Sequence, residues 1–183
     1  LAYIIWCNRG SAERRARGGQ ILRPGATPLV GKAATELEAD ESVDAILFSA
    51  PYSFAIDYAE NDAFHLAALG ADRSKLDANM IGLRGGRKLA DKYACYLEDM
   101  RSVLRECFRV LKSGRHCVIV VGTNNNQLSK VLKVSSGEIT GLHEILRSEA
   151  ESLGFAFTAE IPRSIRGIAN TMREEFILFL RKG

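Results

Sequence analysis

VDAILFSAPYSFAIDY, residues 43–58, holds the transition around which the chain is organised: an apolar run passes straight into a short polar turn bearing a proline and aromatic rings. Ala45, Ile46, Leu47 and Phe48 follow Asp44 without a polar break, the pattern of a strand covered on both faces in a parallel sheet. Ser49, Ala50, Pro51 and Tyr52 end that run. In open α/β sheets ligands bind beyond the carboxyl ends of the strands, so a hydroxyl, a carbonyl and an aromatic ring at this place face a crevice. The turn is the candidate active site. A plainer alternative makes Tyr52 a core aromatic after an ordinary strand. Asp57 and Tyr58 line the same pocket, or Asp57 caps a helix start.

Downstream, residues 54–69 carry spaced apolar side chains with Gly70 where a helix would stop. Residues 72–91 have no strong period and contain GLRGGRK, which reads as a long loop over the site. Its glycines among Arg84, Arg87 and Lys88 would let backbone approach phosphates; the alternative is a floppy insertion. Tyr93, Tyr96, Leu97, Met100, Val103, Leu104, Cys107, Phe108 and Leu111 then recur at helical spacing until Ser113-Gly114. Residues 116–121 predict a strand ending at Gly122, and Thr123 with Asn124, Asn125 and Asn126 a polar loop beside the 49–52 turn. A second helix is predicted over 138–153, stopped by Gly154. Two strands follow, 155–161 and 176–180, around a loop with Arg163, Arg166 and Arg173. The element order predicts an α/β layered sheet, mostly parallel, with a final antiparallel hairpin.

Upstream, residues 1–7 are apolar, and a Gly/Arg/Ser-rich stretch through Gly25 has no periodicity. Residues 1–30 read as a basic, flexible lead-in, and Pro28, Leu29 and Val30 lead into a short strand and turn. Arg9, Arg14, Arg15, Arg17, Arg23 and Lys32 face only Glu13. They form either a phosphate-contacting segment or a solvated basic loop.

At 183 residues and 46% hydrophobic, the chain can bury the core of one ordinary domain. No apolar run approaches the ~20 residues of a membrane helix, and LAYIIWC is too short for a secretory signal; a cytoplasmic, soluble protein is expected. Cys7, Cys95, Cys107 and Cys117 have no C-x-x-C spacing and read as buried reduced thiols. His65, His116 and His143 stand apart from them, so no metal is expected.

SAPYSFAIDY resembles the catalytic motif of the amino-methyltransferases that modify exocyclic amino groups in DNA, (Ser/Asp/Asn)-Pro-Pro-(Tyr/Phe/Trp). GKAATELEADESVDAILFSAPY, YLEDMRSVLRECFRVLKSGRHCVIVVG and REEFILFLRK resemble the same family in the same order, over most of residues 31–183. IDYAENDAFHLAALG and MIGLRGG resemble a bacterial branch of DNA-modification methylases, the N(4)-cytosine and N(6)-adenine type that includes restriction-modification enzymes. The resemblance implies a Rossmann-like methyltransferase domain, S-adenosylmethionine as cofactor and a flipped-out DNA base as substrate. It implies that the Ser49 side-chain oxygen and the Ala50 main-chain carbonyl accept from the amino group, that Pro51 rigidifies the turn and that Tyr52 stacks on the base. Ala50 stands where the family usually has proline. Serine at the first motif position leans the target slightly to cytosine over adenine. Methylation at ring carbon 5 is disfavoured, since no cysteine follows a proline. Arg84, Arg87, Lys88, Arg163 and Arg166 are the candidate nucleic-acid contacts.

The family binds its cofactor at a Gly-rich turn after the first strand, and no such turn is found in this sequence. Gly31, Lys32 and Ala33 resemble the family's Gly-Asp-Ala, with Lys32 replacing the acid that meets the cofactor's adenine. The expectation is therefore an incomplete sheet with its first strands missing. Residues 31–183 would form a partial catalytic domain, completed by an upstream segment or second subunit, and opening on Leu1 fits that picture. Two alternatives use the same turn: a catalytically inactive nucleic-acid-binding module, and an RNA guanine amino-methyltransferase.

Overall fold

Apolar runs become strands and 3.6-residue stripes become helices along most of this chain. The structure, a computed structural model, describes residues 4–7, 26–29, 39–51, 60, 63–68, 70, 81, 86, 88–135, 138–165 and 174–183. In chain order the described elements are β1 (Ile4–Cys7), β2 (Ala26–Leu29), β3 (Val43–Ser49), α1 (Ala63–Ala68), α2 (Leu89–Val110), β4 (Leu111–Gly122), α3 (Asn125–Leu132), α4 (Leu142–Ser152), β5 (Phe155–Ser164) and β6 (Glu174–Lys182).

The strands form one mixed sheet in the order β2-β1-β3-β4-β6-β5. β3 and β4 are parallel, with Ile46 beside Cys117 and Phe48 beside Ile119. The other four pairings among the described residues are antiparallel. The predicted final hairpin is present as β5–β6, whereas the expectation of a mostly parallel sheet is corrected. Two causes act. Residues 1–30, read as a lead-in, contribute β1 and β2, and β1 lies antiparallel on β3. The last strand, β6, enters between β4 and β5 and runs antiparallel to both.

Strand side chains alternate between faces, and here one face carries the core. Ile46, Phe48, Cys117, Ile119, Val121, Leu178 and Leu180 are buried there, whereas Leu47 on the opposite face is 41% exposed. Helix α2 covers the core face with Tyr96, Met100, Leu104, Cys107 and Val110, four and three residues apart, the stripe that a 3.6-residue period generates. Leu142, Leu146 and Ala150 do the same for α4, and Leu128 for α3. Each fully buried Leu or Met side chain contributes roughly 1.5–3 kcal/mol relative to exposure. These helices hold the sheet rigid beneath the carboxyl ends of β3 and β4.

Three boundaries differ from the sequence reading. Helix α2 ends at Val110 and the chain enters β4 at once, so Leu111–Gly114 belongs to the strand. Asn124, Asn125 and Asn126, expected as loop, open α3: Asn124 is its N-cap. The helix predicted from 138 begins at Leu142, after Gly141. Gly154 ends that turn as expected, with φ +105°, a backbone region that side chains disfavour. Helix α1 spans six residues of the predicted 54–69 helix, none of them buried.

Candidate functional site

Parallel pairing brings the carboxyl ends of β3 and β4 side by side, and Ser49 lies level with Val120. Ser49 is half-buried, Ala50 is 1% exposed and Pro51 is half-buried. The Ala50 N–H donates to the Val120 carbonyl at 2.8 Å, extending the ladder one residue past β3. One residue later, the Pro51 carbonyl accepts from the Tyr96 hydroxyl at 3.1 Å. Ser49, Ala50 and Pro51 thus lie together at the carboxyl end of β3. Tyr52, Asp57 and Tyr58 lie outside the described residues.

At the end of β4, Thr123 is buried and its Oγ1 accepts from the Leu142 N–H at 2.8 Å. Asn124 accepts through Oδ1 from the Gln127 N–H at 3.2 Å. The polar side chains expected to line the pocket therefore cap α4 and α3, satisfying donors that helix starts leave open. His143 stacks on Phe176 with ring centres 3.6 Å apart. A Cβ at position 141 would meet the His143 ring at 2.4 Å, so only glycine permits this close approach. Burial pushes the His143 pKa down, against the opposing pull of Glu160, Glu144 and Glu174.

Among the nucleic-acid candidates, Lys88 is exposed and is the N-cap residue of α2. A helix start favours anions, so a cation there gains more from a phosphate than from the helix itself. Arg163 forms an ion pair with Glu175, a buried carboxylate directly across the β5–β6 ladder. Arg84, Arg87 and Arg166 lie outside the described residues, as do Gly31, Lys32 and Ala33.

Cys107 and Cys117 are buried and Cys95 is half-buried, all as free thiols. A hydrogen bond with Cys107 and burial push the Cys117 thiol well up, which keeps it protonated and poorly nucleophilic. Among the described residues no three potential metal ligands come together, and no helix is long and apolar enough to cross a membrane. A shallow depression at the opposite end of β3 is lined by Asp40, Glu41, Arg109 and Lys182. Those charges pair with one another, Arg109 with Asp40 at 2.5 Å and Lys182 with Glu41 at 3.2 Å, which accounts for them structurally.

Tyr96 is the site residue that sequence reasoning missed. Its place in the α2 stripe was legible, and a buried tyrosine needs a partner for its hydroxyl, but nothing in the sequence pointed to Pro51.

No known family profile and no curated protein matches the chain. Among solved structures, it is similar to a candidate DNA modification methylase from Thermus thermophilus, with 21% identity, covering 84% of this chain and 52% of that one at a TM-score of 0.47. A structure of that methylase complexed with S-adenosyl-L-methionine matches with 24% identity over 50% of this chain and 39% of that one, TM-score 0.33. A SAM-dependent methyltransferase from Methanosarcina mazei matches with 13% identity over 82% of this chain and 65% of that one, TM-score 0.45. The chain spans about half the length of the first of these neighbours.

Proposed function

We propose that this chain carries the amino-group half of a DNA methyltransferase: it holds the exocyclic amino group of a flipped-out base, with a slight preference for cytosine, for methylation by S-adenosylmethionine. The observation that carries the reading is the Ser49-Ala50-Pro51 turn, the part of the motif resemblance that falls on described residues, at the carboxyl end of a parallel strand pair. The domain is read as a Rossmann-like methyltransferase sheet lacking part of its complement.

An exocyclic amino nitrogen is a poor nucleophile because its lone pair is delocalised into the ring. Acceptors that hold its two protons favour tetrahedral geometry and return the pair to nitrogen. In this reading the Ser49 hydroxyl oxygen accepts a hydrogen bond from one N–H and the Ala50 carbonyl from the other, Tyr52 stacks on the base to offset the few kcal/mol of unstacking, and the surplus proton leaves the nitrogen for solvent once the methyl is transferred. No covalent intermediate on the protein is needed, in keeping with a buried, protonated Cys117. A water-poor setting strengthens each hydrogen bond that forms on the nitrogen.

S-adenosylmethionine would supply an electrophilic sulfonium methyl. The described ends of β3 and β4 carry Ser49-Ala50-Pro51 and Thr123-Asn124, neither of them the glycine-rich turn that its site calls for. Its binding is assigned to an upstream segment or a second subunit, with Gly31, Lys32 and Ala33 as this chain's contribution. DNA phosphates are assigned to Arg84, Arg87, Lys88 and Arg166, and to the exposed donors of Arg163 left over from Glu175.

Calorimetric titration with S-adenosylmethionine tests the reading, first on this chain and then with any polypeptide encoded upstream in the same frame or operon. Binding only in the second case is the expected result. It would be followed by mass-spectrometric detection of methylated bases in DNA. Absence of binding in both cases overturns the catalytic reading and leaves a nucleic-acid-binding module.

A further inference from the structure

Ala50 stands at a position where a second proline ring would stiffen the turn, yet a catalytic carbonyl must be held to a fraction of an ångström. The constraint has to come from elsewhere in the chain. Three sources converge on this peptide. Pro51 fixes its own φ and restricts the residue before it to extended ψ values, which limits how the Ala50 carbonyl can rotate. The Ala50 N–H, which a proline would lack, is pinned to the Val120 carbonyl at 2.8 Å. That leaves Pro51 ψ, and there the Tyr96 hydroxyl grips the Pro51 carbonyl at 3.1 Å.

We infer that Tyr96 is a positioning residue for the catalytic turn, holding the Ala50 carbonyl in place by anchoring the next carbonyl along the chain to helix α2. The inference rests on the amino-methyltransfer reading of that turn. Tyr96 is 0% exposed, and Met100 and Leu104 follow it on the same buried stripe, so its ring is held by the core and its hydroxyl has little freedom to wander. The contact joins residues 45 apart in sequence. It couples the turn to the helix that returns the chain to β4, so the orientation of α2 sets that of the acceptor. The turn itself contributes two backbone anchors and no bulky side chain before Tyr52, which makes an external clamp the economical solution.

Tyr96→Phe removes the hydroxyl and keeps the ring. The full chain, with the upstream polypeptide, is assayed with isotopically labelled S-adenosylmethionine and unmethylated genomic DNA, and amide exchange at Ala50 is followed by NMR. Expected are a melt that stays cooperative, DNA affinity within about twofold, faster exchange at Ala50, and kcat lowered about tenfold or more, since small misplacements of reacting groups cost up to ~10²-fold. Unchanged exchange with unchanged kcat overturns the inference, and so does a loss confined to KM. Should Tyr96→Phe not fold, the wild-type chain decides: a Tyr96 hydroxyl proton protected from exchange supports the clamp, and a freely exchanging one overturns it. Absence of methyl transfer by the wild type defeats the functional reading instead, while the exchange measurement still reports whether Tyr96 anchors the turn.

Discussion

Ser49 and Arg163 make opposite predictions although both were singled out as site residues. Ser49 sits half-buried at the end of β3, and its hydroxyl oxygen is assigned to the amino group. Ser49→Ala should lower kcat about 10²-fold, the usual scale for losing one aimed hydrogen-bonding group, at temperatures where the variant stays folded; an activity loss that merely tracks unfolding would remove the assignment. Arg163→Ala should instead be felt without DNA, because it strands the buried Glu175 carboxylate. The guanidinium is 63% exposed, so solvent screening limits the cost to about 1–3 kcal/mol of stability, measurable by urea unfolding. Replacing Glu175 as well should recover part of that loss. The spacing of residues showed that Arg163 lies near a strand end, but the pairing of β5 with β6 decides that it faces Glu175, and pairing is a long-range fact that local sequence does not carry.

Among the elements, α4 is the most revealing, because its first turn ties the end of β4 to the start of β6. Thr123 caps it and His143 stacks on Phe176. The His143 pKa is lowered from 6.5 in the folded chain by burial, so the unfolded chain binds the proton more readily. Stability from this group is then fully present above about pH 6.5 and is lost as pH falls through the folded-state pKa. The melting temperature should rise between pH 5.5 and 7.5, and His143→Phe, which keeps a ring against Phe176, should flatten that slope. Thr123→Val leaves the buried Leu142 N–H without its acceptor and should cost about 1–3 kcal/mol, read from thermal melts. The α2 stripe from Tyr96 to Cys107 was legible because Tyr96, Met100, Leu104 and Cys107 repeat a single period, whereas Val110 closes it where the sequence offered Leu111. The start of α4 was not legible: Ile139 continues the apolar spacing of Leu142, Ile145 and Leu146, but Thr140 and Gly141 are poor helix formers, Gly141 is the N-cap, and the Leu142 N–H is taken by the buried Thr123 hydroxyl nineteen positions away. Asn124, read as part of the site, is instead a local cap, accepting from the Gln127 N–H three residues on.

For the whole molecule, a formal charge of +3 is too small to make DNA binding a property of the entire surface. Affinity should depend on a few local cations. Lys88→Ala should weaken binding evenly across sequences and reduce the slope of log affinity against log salt by about 0.9, the amount for one phosphate contact, as read by fluorescence anisotropy over a salt series. An unchanged slope would remove Lys88 from the DNA surface. The sequence made the α/β class and the β5–β6 hairpin legible, but the direction of β1 and the insertion of β6 beside β4 depend on edge availability in the assembled sheet. The placement of β6 also has a temporal meaning. It lies between β4 and β5 while following both in the chain, so among the described strands β5 has no partner on the ribosome, and that flank of β4 none either, until residues 174–182 have emerged. Translation must pass the last strand before the right half of the sheet can close, and a nascent chain paused before that point would display unsatisfied strand edges of the kind chaperones recognise.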